Sequence, residues 1–131
     1  MLRIPRQIQE AIVEQAEREK PLECCGLLAG SGNLVTHHYQ IRNADQSPTT
    51  YLMEPREQFW AMTNIRQNQL DLLAIYHSHT HTPAYPSPTD IRLAFYPDSF
   101  YLIVTLMDHQ PGLRLFQIRE NNVVEQTIET V

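Results

Sequence analysis

A mixed α/β fold is what the sequence predicts, on three observations. Helix-period and strand-period apolar patterns alternate along the chain. An apolar run, Leu72-Leu-Ala-Ile-Tyr76, has the length and the polar borders of a strand buried inside a sheet. With 131 residues, 42% hydrophobic and 19% charged, the chain suits a single domain spanning 1–131 and no more. The net charge of −5 and ten scattered basic residues leave no footprint for a phosphate backbone, so nucleic acid is not an expected partner. No apolar stretch approaches the roughly 20 residues that cross a bilayer, and the start lacks a charged-then-apolar leader pattern. The expectation is a cytoplasmic protein without membrane attachment. Cys24 and Cys25 are adjacent and cannot form an ordinary disulfide, so they are read as reduced thiols packed in a strand.

Each element follows from its own pattern. Ile4, Ile8, Ala11, Ile12 and Ala16 recur at helical spacing over residues 5 to about 20, with Glu10, Glu14 and Glu17 on the other faces. Pro21 ends that helix. Residues 25–30 read as a short buried strand, Ser31-Gly-Asn33 as a hairpin turn and 34–41 as the returning strand. Residues 43–50, rich in Asn, Asp, Ser and Pro, form a loop, with a short strand expected at Tyr51-Leu-Met53. Pro55 opens a second helix to about 68 that carries Phe59, Met62 and Ile65 inward, and Phe59, Trp60 and Met62 are read as core. After the strand at 72–76 come a loop at 83–88, a short helix through 94, and closing strands at 100–107, 113–118 and 123–128.

The chemistry lies beyond the buried strand. His77 and His79 stand at i and i+2, so an extended backbone points both rings to one face about 6.7 Å apart. A bare His-x-His equally suits two solvent-facing side chains ending a strand. Asp90 sits where a helix begins, so its carboxylate can turn back as a third ligand. Two nitrogens and one oxygen suit zinc with an open fourth position. His81 offers a three-histidine alternative with His77 and His79. A straight strand separates the outer two by about 13 Å, beyond the roughly 10 to 12 Å that a zinc-bound histidine pair can span, so a bend would be needed. His37, His38 and His109 have no spaced partner and receive no role.

His77-Ser-His79, seven residues, Ser87, two residues and Asp90, with Glu23 upstream, resembles the signature of the JAMM metalloprotease family, the catalytically competent branch of MPN domains. Residues 21–30 and 51–55 are similar to segments of its compact prokaryotic members, so the likeness extends over most of the chain. The resemblance implies an MPN-like (cytidine-deaminase-like) domain with a curved mixed sheet flanked by helices. It also implies one zinc on His77, His79 and Asp90, Glu23 as acid/base, and Ser87 at the oxyanion. The implied reaction is hydrolysis of peptide or isopeptide bonds at C-terminal tails of small ubiquitin-like or sulfur-carrier proteins, for which a Gly-Gly tail is expected. The alternative is a non-catalytic zinc-binding MPN module. Zinc deamination needs His-x-Glu with a distant Cys-x-x-Cys, and neither occurs. One departure stands out: many relatives place Pro after the second histidine, whereas this chain has Thr80-His81-Thr82.

Overall fold

The computed structural model describes residues 1–131. Its elements are β1 (Leu2–Ile4), α1 (Arg6–Glu19), β2 (Cys25–Ser31), β3 (Leu34–Ile41), α2 (Pro55–Gln67), β4 (Asp71–His79), α3 (Pro88–Arg92), β5 (Phe100–Thr105), β6 (Gly112–Arg119), β7 (Asn122–Gln126) and β8 (Ile128–Thr130). Gly32, at φ +63°, supplies the left-handed residue of the β2–β3 turn, where a side chain would be strained. Glu54 accepts a bond from the Glu57 N–H and so caps α2, with Pro55 at the first helical position. No helix is long and apolar enough to cross a membrane.

All eight strands form one sheet in the order β7-β6-β5-β4-β2-β3-β1-β8. β7 and β8 stand at its opposite ends, yet only Thr127 separates them in the chain. Two peptide units reach at most about 7 Å, so the sheet curls until its ends lie side by side. The α/β class and the curved mixed sheet expected from sequence are thus present. β4 lies between antiparallel β2 and parallel β5, and the crossover to β5 carries α3. Period-2 alternation sorts the core onto both faces of the sheet. Cys25, Leu27, Ile75, Ile103 and Phe116 pack with Ala61 and Ile65 of α2, while Cys24, Leu28, Ala74, Tyr76 and Leu102 pack with Ile12 and Ala16 of α1. Burial on both faces is why residues 72–76 read as a continuous apolar run.

Four expectations change. Ile4 lies in β1 rather than on the first helix: Pro5, with extended backbone at φ −56° and ψ 141°, separates the two. The last expected strand is two, because Thr127 breaks the run and β8 joins β1 in parallel register. Residues 51–53 make only an isolated bridge, Asn43 to Met53. In α2 the stripe that meets the sheet is Ala61 and Ile65 with half-buried Met62, whereas Phe59 and Trp60 are 73% and 62% exposed. Small Ala61 lets the helix approach the sheet closely, and the bulkier aromatics one and two residues earlier turn outward.

Gly26 is where two strands and a ring crowd together. A Cβ there would run into the Tyr39 carbonyl oxygen and the Tyr76 ring. The Tyr76 hydroxyl donates to Gln15 Oε1 at 2.5 Å and accepts from His38 Nε2 at 2.6 Å, while Gln15 Nε2 donates to the Cys25 carbonyl at 3.1 Å. This network ties α1 to β2, β3 and β4, so the ring cannot swing aside freely. Gly26→Ala is therefore expected to destabilise the chain by about 1–3 kcal/mol through overpacking, read as a lower denaturant midpoint. An unchanged midpoint would show that the crowding is relieved without cost.

Candidate metal centre

The β2–β4 register builds the site. Cys25 stands opposite His77, and the Ser78 N–H donates to the Cys24 carbonyl at 3.0 Å, so the same register continues to set Glu23 opposite His79. All three polar side chains occupy the α2/α3 face of the sheet, in phase with Ile75. Asp90 arrives from α3. Ser87 caps that helix: its Oγ accepts from the Asp90 N–H at 3.0 Å, while Asp90 Oδ2 accepts from the Ser87 N–H at 2.9 Å. This reciprocal box turns the carboxylate back toward the strand.

Three atoms then converge. His77 Nε2 and His79 Nε2 lie 3.1 Å apart, and Asp90 Oδ2 lies 3.0 Å from the first and 3.1 Å from the second. Ligands at 2.0–2.1 Å around a tetrahedral zinc are separated by roughly 3.3–3.4 Å, close to this triangle. His77, His79 and Asp90 thus form a group able to hold a metal ion. Supporting contacts orient each ring. His79 Nδ1 donates to the Pro83 carbonyl at 2.8 Å, which turns Nε2 toward the triangle: the charged ring donates from Nε2 to Asp90, and the neutral ring, its proton on Nδ1, offers that nitrogen as a lone pair to a metal. His77 is held by stacking: the Tyr51 ring lies 4.6 Å away, centroid to centroid, at 24°, and His77 Nδ1 is buried without a partner.

Burial sets the electrostatics. Burial alone would raise Asp90, but bonds from His77, His79 and the Ser87 N–H outweigh it and hold the carboxyl far below the usual range. Burial lowers His77, and the Asp90 carboxylate does not fully offset it. In His79 the bonds to Asp90 and Pro83 outweigh burial, and its pKa is raised. Glu23 is pushed up to about 8, chiefly by burial and further by Asp90, with His79 opposing. Its Oε1 is buried with no hydrogen-bond partner. Its main chain is fixed: the N–H donates to the Ser47 carbonyl at 2.9 Å and the C=O accepts from Asn43 Nδ2 at 3.0 Å.

His81 stays outside the group. It is exposed on the rim, with Nδ1 2.8 Å from Thr80 Oγ1. Both cysteines are free and buried, and burial pushes the Cys24 thiol up to about 12 and Cys25 up as well, so both behave as inert packing groups. His38 is half-buried against Tyr76, and burial lowers it to about 4. Sequence reasoning missed Asn43, Tyr51 and Pro83. Asn43 is buried with its amide fully used: Nδ2 donates to the Glu23 and Thr50 carbonyls, and Oδ1 accepts from the Asp45 and Leu52 N–H groups. An Asn in an Asn/Asp/Ser/Pro-rich loop carries no sequence signal that separates this hub from an ordinary turn residue.

Comparison with known proteins matches residues 5–119 to the prokaryotic homologs of the JAB domain. The CysO-cysteine peptidase of Mycobacterium tuberculosis is 37% identical over 134 aligned residues, covering 100% of this chain and 92% of that protein. A probable TtuB-protein conjugate cleaving protease of Thermus thermophilus is 35% identical over 125 residues, covering 95% of this chain and 80% of that one. Among solved structures, protein DSY2949 from Desulfitobacterium hafniense superimposes with a TM-score of 0.90 at 38% identity, covering 100% of this chain and 93% of that one. With its fold, its His-His-Asp group and these likenesses together, the chain belongs to the prokaryotic homologs of the JAB domain, the prokaryotic JAMM/MPN family.

Proposed function

We propose that the chain is a zinc metallopeptidase acting on the peptide or isopeptide bond at the C-terminal tail of a small ubiquitin-like or sulfur-carrier protein. One zinc is held by His77, His79 and Asp90, with Glu23 as acid/base and Ser87 as oxyanion donor. The observation that carries this reading is the meeting of three donors 3.0–3.1 Å apart with the buried, unpartnered Glu23 Oε1. The mycobacterial relative is named for CysO-cysteine and the Thermus relative for TtuB-protein conjugates, which supports the substrate class.

Bound zinc supplies Lewis acidity and an acidified water. Glu23, whose carboxyl burial pushes up to about 8 and a cation held beside it would draw back down, takes as the carboxylate the proton of the attacking water and returns it to the leaving nitrogen. The water oxygen stays on the carbonyl carbon, the C–N bond breaks, and the amine departs with that proton. Ser87 Oγ accepts from the Asp90 N–H, and its own hydroxyl proton remains available to the carbonyl oxygen as charge develops there.

The tail-binding edge runs along residues 51–53. Leu52 is tied back, its N–H to Asn43 Oδ1 and its C=O to the Ala44 N–H, whereas the N–H and C=O of Tyr51 and Met53 make no hydrogen bond within the chain. Those free groups border a cavity of about 300 Å³ that includes Thr89, Asp90, Leu93, Phe95 and Tyr96. An extended tail pairs with such an edge through its main chain, and glycines suit the approach to the buried ligands.

Three outcomes test the reading. The purified chain is expected to carry about one zinc; His77→Ala, His79→Ala and Asp90→Ala lose it while His81→Ala keeps it, by metal analysis. Retention in His77→Ala with loss in His81→Ala would overturn the ligand set. Glu23→Gln is expected to keep zinc and lose roughly 10²- to 10⁴-fold in rate; near-normal turnover sinks its role. On a carrier with a Gly-Gly tail, replacing the last glycine by a bulky residue is expected to slow cleavage at least about tenfold, roughly 1.4 kcal/mol of barrier. Indifference to that change, or a preference for linked ubiquitin chains, would count against tail reading.

A further inference from the structure

The three ligand side chains are not held alike. Asp90 is fixed by the reciprocal bonds of the Ser87 cap, and His79 by the bond from Nδ1 to the Pro83 carbonyl. A histidine that ligates a metal through one ring nitrogen ordinarily donates from the other to a carboxylate, a carbonyl or water, and that bond sets the ring. His77 lacks it: the residue is 1% exposed, its Nδ1 is buried, and that atom has no hydrogen-bond partner. A contact of another kind has to set the plane of this ring.

The face of Tyr51 supplies that contact. Its ring lies 4.6 Å from the His77 ring, centroid to centroid, with 24° between the planes, at the close end of the range for stacked aromatic pairs. His79 meets His77 edge to face, at 61°. That second contact limits how far the ring can travel and leaves its plane less defined. The other two histidine–tyrosine pairs are built differently. His37 and Tyr39 are near-parallel but 6.5 Å apart, and His38 meets Tyr76 at 53° with a hydrogen bond between Nε2 and the hydroxyl. At His77 alone does a tyrosine cover an imidazole whose far nitrogen is buried and unpaired.

Tyr51 is in turn held from both sides. Asn43 Nδ2 donates to the Thr50 carbonyl and Asn43 Oδ1 accepts from the Leu52 N–H, each at 3.0 Å, which fixes the backbone on either side of Tyr51. Its ring packs, partly buried, against the core cluster that includes Cys25, Ile75 and Ile103. We propose that Tyr51 is the positioning residue of His77, its ring face taking the place of the missing outer hydrogen bond, so that metal affinity and ligand geometry depend on an aromatic ring at position 51. This rests on the ligand set of His77, His79 and Asp90. Stacking fixes the plane, and the Asp90 carboxylate, 3.0 Å from His77 Nε2, selects which edge of the ring faces the site. The contact uses the ring face, so phenylalanine serves as well as tyrosine and an aliphatic side chain of similar bulk does not.

The test uses the full chain, stripped of metal and reloaded with zinc or with cobalt(II), whose visible absorption reports the geometry of its ligands. Tyr51→Leu, which keeps apolar bulk without a flat face, and Tyr51→Ala are expected to weaken binding of both metals by about 10- to 100-fold in chelator competition and to change the cobalt spectrum. Tyr51→Phe is expected to keep both affinity and spectrum. Tyr51→Leu covers the case in which Tyr51→Ala fails to fold. A Tyr51→Leu chain with wild-type affinity and spectrum overturns the proposal, even if its denaturant midpoint falls, because the residue is then a packing group only. A loss in Tyr51→Phe as large as in Tyr51→Leu overturns it too, since the hydroxyl rather than the ring face would carry the effect. Both of those results leave the peptidase reading standing, whereas failure of the wild-type chain to take up either metal brings down the ligand set and this proposal with it.

Discussion

The site depends on the register between β2 and β4. Side chains alternate faces along a strand, so a slip of one residue would send Glu23 to the α1 face and leave the histidines opposite a packing residue. Three features pin that register from behind. Gly26 admits the Tyr76 ring, Gln15 bonds both the Tyr76 hydroxyl and the Cys25 carbonyl, and the Cys24 N–H donates to Ser78 Oγ at 2.8 Å. The β2–β4 ladder shifts register only between Leu28 and Ala29, away from the site, so its site half is uninterrupted. The apolar face of α1 therefore serves the polar face of the sheet without touching it.

Burying Glu23, His77, His79 and Asp90 together works against stability, because each loses hydration and Glu23 Oε1 and His77 Nδ1 recover no partner. Environment pushes the groups apart. Asp90, with three hydrogen bonds, is held as a carboxylate, while Glu23, buried beside it without one, is pushed toward the neutral acid. Two carboxyl groups of one site thus acquire different chemistry: one, held by hydrogen bonds, is a permanent anion suited to a cation, and the other, raised by burial and by Asp90, exchanges a proton near neutral pH. Such an arrangement persists because two strands and a capped helix over-determine it.

What was legible in the sequence follows from how local each cause is. The hairpin, the buried strand and the capped start of α3 rest on neighbouring residues, and so did the proximity of His77 to His79 and the return of Asp90. The rest depends on the curl of the whole sheet. β1 and β8 are three-residue strands that exist only because the sheet curls to bring the two chain ends together, and no three-residue pattern announces that. The helix stripe was misread because Phe59 and Trp60 outweigh Ala61 in apolar area, while the space above the sheet admits only the small residue. Glu23 was placed by a family signature rather than by its neighbours, and its partnership with His79 spans 56 positions of sequence, from 23 to 79.

The connector at residues 42–54 shows how one irregular segment couples tasks that the regular elements cannot. Asn43 bonds the Glu23 carbonyl and the chain on either side of Tyr51, at Thr50 and Leu52; Tyr51 stacks on His77; and Tyr51 and Met53 line the cavity of about 300 Å³. Glu23, His77 and the unpaired edge at residues 51–53 are thereby referred to a single amide side chain, so an error in one displaces all three together rather than one against another. A site that must hold its groups within about half an ångström gains from that shared reference. The exposed Leu52, Leu93 and Phe95 that border the same cavity are the cost: apolar surface left in water on a small chain, of the kind that marks binding surfaces.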